Sequence, residues 1–160
     1  MAPIVKEFVG IDNADLMLEE SSKVAQKFRN VRIVRGDLEN LSKIFPNNHF
    51  DFSICVWNTL GNVKEESLVL KEISKVTSKS IFVTVYLKGT LEDRKNWYKT
   101  VGVNIRKIDE KNETFYSESG LKSKSYSPED MKKIAKKAGL NIKEHKILNG
   151  VILWAELTKQ

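Results

Sequence analysis

Two runs, Phe50 to Trp57 (FDFSICVW) and Ile81 to Leu87 (IFVTVYL), are apolar at nearly every position. A strand with one wet face alternates, so continuous runs of this kind belong to interior strands covered on both sides. Between them, Glu65 to Val76 places Val69, Ile73 and Val76 on one helical stripe. Strand, helix, strand is the unit of a parallel sheet, and it predicts an α/β fold. Upstream, Val5 to Ile11 reads as a strand ending at Asp12. A helix follows over residues 14–28, with Met17, Val24 and Phe28 on its buried face and Asn13 or Asp15 available as N-cap. Val31 to Val34 is a second strand, closed by Gly36-Asp37. Leu38 to Phe45 is a short helical or irregular crossover, stopped by Pro46 and the polar turn at 47–49.

The second half of the chain departs from a repeating strand–helix pattern. Residues 90–101 read as a helix. Residues 103–126 are polar and alternating, with Ile105, Ile108, Phe115 and Tyr116, and predict small antiparallel strands over one rim. The last helix has Ser127 as cap, Pro128 at its first position, and Glu129 and Asp130 at the positive end of its dipole. Met131, Ile134, Ala135 and Ala138 form its inner stripe, and Gly139 its left-handed stop. Ile142 to Leu148 and Val151 to Leu157 are then joined by Asn149-Gly150, the strongest short signal for a hairpin. The fold expected is a Rossmann-like, mostly parallel sheet that finishes in an antiparallel hairpin.

A length of 160 residues suits one domain over 1–160, and neither a repeat nor a linker interrupts it. One Cys can form no internal disulfide, and a zinc site needs more ligands than it supplies, which fits a reducing compartment. No stretch reaches the roughly 18 apolar residues of a membrane span, and the first residues, MAPIVKEFVG, lack a signal-peptide core. The expectation is a cytoplasmic protein without a membrane partner. The net charge of +6 leaves a nucleic-acid partner open. The positive charge is scattered, however, and Lys132, Lys133, Lys136 and Lys137 belong to the solvated face of the last helix. An RNA-directed reading requires Trp97, Tyr98, Tyr116 and Tyr126 to gather with lysines on one rim.

In open α/β sheets, ligands bind beyond the carboxyl ends of the strands. Three such ends carry candidate residues. Asp12 ends the run FVGID, where a carboxylate can accept both hydroxyls of a ribose or simply cap the next helix. Asp37 ends VRGD, where it can accept from an exocyclic adenine amine while Leu38 packs on the ring, or serve an ordinary turn. Trp57-Asn58-Thr59-Leu60-Gly61-Asn62 brings amides to the end of the third run, to orient a polar ligand atom or to enter a helix. His49 and His145 read as surface or structural, and Cys55 as a buried strand residue. No metal-ligand set is indicated.

Taken together, VGIDNADLMLEESSKVA, NVRIVRGDLENL, FDFSICVWNTLGNV and the closing YSPEDMKKIAKKAGLNI with its hairpin resemble the class I S-adenosylmethionine-dependent methyltransferases. The resemblance spans most of the chain and is poorest through 90–126, the region such families vary to suit their substrates. It implies S-adenosylmethionine as cofactor, bound by Asp12, Asn13, Met17, Asp37, Leu38, Val56, Trp57 and Asn58. Asp12 would hold the ribose, Asp37 and Leu38 the adenine, and Val56 to Asn58 the methionine end. Asn58, Thr59, Asn62 and Tyr86 would face the acceptor, expected to be a small molecule. Catalytic residues are not indicated, since methyl transfer depends chiefly on positioning.

The chain departs from this family at one place. The family opens with a strand and a glycine-rich turn, E/D-x-G-x-G, and the first glycine here, Gly10, already lies in the run that ends at Asp12. The first strand, that turn and nearly all of the first helix are missing from the pattern, and the strand is the centre of the family's sheet. Three resolutions are open: a longer protein's truncated or misassigned start, a second chain (identical or not) that supplies the strand, or direct pairing of the flanking strands. The expectation is weak or no cofactor binding by these residues alone. An alternative is a non-catalytic methyltransferase-like module that pairs with a partner. A nicotinamide-dependent Rossmann enzyme fits less well, because it also needs the glycines and leaves Asp37 and the closing hairpin unexplained.

Overall fold

The computed structural model describes residues 4–160, so Met1, Ala2 and Pro3 of the N-terminal reading lie outside the described residues. Among the described residues, nine strands and six α-helices follow one another, alternating as far as β3 and then in runs of like elements. Parallel strands β1 (Phe8–Asp12) and β2 (Val31–Arg35) flank helix α1 (Asp15–Ala25). A 3₁₀ turn (Leu38–Asn40) and α2 (Leu41–Ile44) lead to β3 (Phe50–Cys55). After α3 (Thr59–Asn62) and α4 (Glu66–Val76), β4 (Thr77–Tyr86) pairs parallel to β3. Helix α5 (Leu91–Thr100) precedes the antiparallel sheet β5 (Ile105–Asp109), β6 (Thr114–Ser117) and β7 (Lys122–Lys124). Then α6 (Pro128–Lys137) leads into the hairpin of β8 (Leu140–Leu148) and β9 (Ile152–Lys159), with β9 antiparallel to β4.

The closing elements form for the reasons their residues suggest. Ser127 Oγ accepts from Asp130 N while the Asp130 carboxylate accepts from Ser127 N, a reciprocal capping box behind Pro128. Asn149 and Gly150 take φ of 49° and 72°, the left-handed pair that a type I′ turn demands. Lys132, Lys133, Lys136 and Lys137 are exposed, as their place on α6 predicts.

The core sits on one face of the sheet β3-β4-β9-β8. Cys55, Ile81, Val83, Val85, Leu153, Ala155 and Leu157 are all buried there. They pack in one cluster with Val69, Leu70, Ile73 and Val76 of α4 and with Met131 and Ala135 of α6. The other face carries Phe52, Ile54, Phe82, Thr84 and Trp154 in register. Phe52 is 54% exposed and Ile54 42% exposed, so the expectation that β3 is covered on both sides fails on this face. The reason is topological: among the described residues β3 has one strand neighbour, β4, and no helix lies over its outer half.

The same gap explains α1. Met17, Val24 and Phe28, expected on a buried face, are 53%, 57% and 39% exposed, and Ala25 is the buried residue of the helix. A two-stranded sheet is narrower than the apolar stripe of the helix it supports. Phe8 N donates to Asn30 O, and Asp12 O accepts from Gly36 N, so alternate residues of β1 serve β2. Val9 and Ile11 therefore turn their backbone groups to the other edge, which pairs with no strand among the described residues. Direct pairing of β1 with β3, one of the three resolutions, is absent among the described residues. Glu72 of α4 accepts from Ser42 N and Oγ of α2 at 3.0 and 2.7 Å, and so anchors the crossover between β2 and β3 to α4.

Candidate functional site

The carboxyl ends of β1 and β2 are tied together by the bond from Gly36 N to Asp12 O, at 3.0 Å. Asp12 Oδ1 accepts from Asn13 N and Ala14 N at 2.8 and 2.9 Å, which holds the turn before α1. Ala14 is the N-cap of that helix and no side chain caps it, so none of Asp12, Asn13 and Asp15 serves as the cap. Asp15 instead pairs with Arg35. Asp37 Oδ1 accepts from Glu39 N at 2.9 Å and caps the 3₁₀ turn. In both carboxylates the bonds engage one oxygen, and Oδ2 remains as an acceptor at the strand end. Leu38 packs half-buried against the core, while Asn13 and Met17 are exposed beside Asp12. Two acceptors with spare lone pairs suit a ligand with hydroxyl and amine donors, such as an adenosine.

The end of β3 is built differently. Trp57 and Asn58 both adopt left-handed backbone, with φ of 58° and 59°. For a tryptophan this is a strained conformation that the surroundings must enforce. Trp57 N donates to Thr84 Oγ1 at 3.1 Å and Asn58 N to Thr84 O at 3.2 Å. The Asn58 side chain, 4% exposed, accepts from Tyr86 N at 3.1 Å and donates to Ser123 Oγ at 2.9 Å. A Cβ on Gly61 would lie 2.4 Å from Asn58 Nδ2 and 2.7 Å from Lys124 O, so glycine is what lets the turn close. The side-chain amide of Asn58 is thus engaged within the fold. Thr59 Oγ1 donates to Val56 O at 2.7 Å, and Asn62 is exposed on α3. The turn projects the Trp57 indole outward, 88% exposed.

A cavity of about 540 Å³ opens beside this turn. It gathers Val56, Trp57, Asn58 and Tyr86 from the expected set, whereas Thr59 and Asn62 lie outside it. It adds Thr84 of β4, Asp93, Arg94 and Trp97 of α5, and Val151 and Ile152 of the hairpin. The α5 contribution left little trace in the sequence, because a polar helix shows no apolar stripe to reveal which face it turns inward. Arg94 is 2% exposed, with its guanidinium between the rings of Tyr86 (4.7 Å) and Phe115 (4.6 Å). Its Nη1 donates to Glu113 O and its Nη2 to Ser123 O and Oγ, while its Nε is buried without a partner among the described residues. Ser123 Oγ also meets Tyr98 OH at 2.6 Å, so one hydroxyl joins α5, β7 and the β3–α3 turn. Burial, with Tyr98 beside it, pushes the Tyr86 phenol up, and Tyr86 stays neutral.

Other candidates fall away from this cavity. Burial pushes the Cys55 thiol up to about 11, which leaves it a packed side chain. His49 stacks on Phe45 and lies 4.0 Å from Glu7, and His145 is exposed on β8. Tyr98 and Tyr126 are 6% and 0% exposed, so the aromatic rim that RNA binding would need does not form. A second hollow of about 590 Å³, with Lys95, Lys99, Asn104 and Glu118 in its walls, takes no residue from a parallel strand end. No helix among the described residues is long and apolar enough to cross a membrane.

A family model described as a methyltransferase domain matches residues 1–80. No curated protein matches the chain. Among solved structures, a protein from Pyrococcus horikoshii superposes with a TM-score of 0.73 at 20% identity, over 96% of this chain and 74% of that one. A structure described as a SAM-dependent methyltransferase from Methanosarcina mazei gives 0.69 at 13% identity, over 94% and 81%. Magnesium protoporphyrin IX methyltransferase from Synechocystis, solved with S-adenosylhomocysteine, gives 0.68 at 14% identity, over 99% and 67%.

Proposed function

The chain belongs to the methyltransferase-domain family, and from that premise we propose that it transfers a methyl group from S-adenosylmethionine to a small-molecule acceptor. The observation that carries the reading is the row of strand ends. Asp12 and Asp37 each keep a carboxylate oxygen unspent at the ends of β1 and β2, and the strained turn Val56–Asn58 closes β3 next to a cavity. When bound, S-adenosylmethionine supplies a methyl group on a sulfonium sulfur that an acceptor lone pair can displace.

Asp12 accepts the ribose hydroxyls through Oδ2, with Oδ1 held in place by Asn13 N and Ala14 N. Asp37 accepts from the adenine amine, and Leu38, with Asn13 and Met17 across from it, packs against the ring. Val56 to Asn58 presents backbone groups to the methionine end, since the Asn58 amide is committed to Tyr86 and Ser123. Tyr86 faces the acceptor, and Thr59 and Asn62 shape the turn behind it. With no His in the cavity and its one carboxylate, Asp93, on an exposed helix position, the acceptor brings its own lone pair. The chain acts in the cytoplasm. The open edges of β1 and β3 support pairing with a further strand, from a second copy or a different protein.

Without a backbone turn between β1 and β3 to meet the methionine end, binding by residues 1–160 alone is weak, in the range of about 0.1 mM or above. Isothermal titration with S-adenosylhomocysteine tests this. A low-micromolar Kd for a proven monomer would overturn it, as would binding unchanged in D12A and D37A.

A further inference from the structure

The strongest feature the cofactor reading leaves unused is the aromatic lining of the 540 Å³ cavity. We infer that this cavity is the acceptor site and that the acceptor is a flat aromatic small molecule, held between the indoles of Trp57 and Trp97 against Tyr86. The inference rests on the methyltransferase reading for the word acceptor, and on the geometry alone for the aromatic ligand.

Three observations converge. First, the volume falls within the range of small-molecule sites, and the walls are predominantly apolar, with Val151 and Ile152 among the lining residues. Second, Trp57 and Trp97 are 88% and 51% exposed, and neither indole stacks on another ring among the described residues. The molecule's third tryptophan, Trp154, stacks on Phe82 at 6.1 Å, outside the cavity. Leaving two large rings in water at one cavity mouth forgoes burial that packing elsewhere would recover. Third, Trp57 is held there at the cost of left-handed backbone, enforced by Thr84, Asn58 and Gly61. Strain that aims an aromatic ring outward over a cavity has no packing return within the chain.

The supports behind the exposed rings are tightly bonded. Arg94 sits between Tyr86 and Phe115 and is bonded to Ser123, which in turn holds Asn58 and Tyr98. The Tyr86 ring is therefore fixed from behind, and the two sides of the slot, Trp57 on its turn and Trp97 on α5, are joined through one hydroxyl. A planar π system gains from stacking on such rings, where a saturated ring of the same size gains area alone.

The test uses the full chain and the indole N–H resonances of Trp57, Trp97 and Trp154, with quinoline as the aromatic probe and cyclohexanol as the saturated one. The result expected is a saturable shift of Trp57 and Trp97 with quinoline, an unmoved Trp154, and little response to cyclohexanol. In W97A the quinoline Kd rises about tenfold, which corresponds to about 1.4 kcal/mol. No saturable shift at Trp57 and Trp97, or an equal response to cyclohexanol, overturns the inference. S-adenosylhomocysteine added to the same sample separates the two claims. If it moves nothing near Asp12 and Asp37 while quinoline binds, the aromatic site stands and its assignment to a methyl acceptor falls. If it moves those amides and quinoline binds nowhere, the acceptor inference alone fails.

Discussion

Trp57 is where local conformation and surface chemistry pull against each other. Its backbone would suit glycine, and its side chain contributes little packing, being 88% exposed. Trp57→Gly is therefore predicted to leave stability unchanged or raise it by up to about 1 kcal/mol, while quinoline binding weakens. Thermal melting read beside the indole titration checks this, and a large loss of stability would show that the indole packs rather than binds. Glu72 is the opposite kind of residue, 5% exposed and fully engaged. Burial opposes its ionisation, but the Lys75 ammonium and the two donors of Ser42 prevail and bring its carboxyl down to about 2. A carboxyl lowered in the folded state stabilises above the ordinary carboxylate range and loses that contribution as pH falls toward about 2. Denaturation midpoints between pH 6 and 2 are predicted to fall more steeply in the wild type than in E72Q. Parallel curves would show that Glu72 does not carry the acid sensitivity.

At the scale of elements, Ser123 of β7 joins pieces far apart in the chain. Ser123→Ala removes the acceptor shared by Asn58, Arg94 and Tyr98, and buried donors left unpaired cost about 1–3 kcal/mol. The prediction is that loss in chemical denaturation, with faster amide exchange in α5 and at Trp57. Exchange unchanged in α5 would mean that the helix is held by other contacts. No pattern around residue 123 announced this role, because a serine in a short polar strand looks alike whether wet or buried. The elements with strong local chemistry were legible: the Ser127–Asp130 cap, the Asn149-Gly150 turn and the inner stripe of α4 all form as their residues dictate. Asp12 and Asp37 are legible as strand ends; Asp37 also serves the local turn that its Gly-Asp setting allows, whereas Asp12 bonds the two residues before α1 instead of capping the helix. Trp97 and Arg94 were not, since a helix as polar as α5 gives no periodicity to say which side faces a cavity. The stripe of α1 is apolar, as its periodicity says, yet exposed, because burial depends on a neighbour that periodicity cannot supply.

On the scale of the whole molecule, the sheet is divided. β2-β1 stands as one pair and β3-β4-β9-β8 as another sheet, with two strand edges unpaired between them among the described residues. Leu16, Met17 and Val24 of α1 and Phe52 and Ile54 of β3 itself are all exposed. Such edges pair with whatever strand is offered, so light scattering is predicted to show association that grows with protein concentration. F52N together with I54T should reduce it, and a strictly monomeric wild type at high concentration would contradict this. The cofactor clamp spans the same divide, with Asp12 and Asp37 on one side and Val56 to Asn58 on the other. The most direct measurement is an amide NMR titration of the whole chain with S-adenosylhomocysteine, which detects weak binding and locates it. The account predicts fast-exchange shifts at Asp12, Asn13, Asp37, Leu38 and Val56 to Asn58, saturating near millimolar ligand and lost in the D12A and D37A variants. Shifts confined to other residues, or none at those strand ends at saturating ligand, would contradict it.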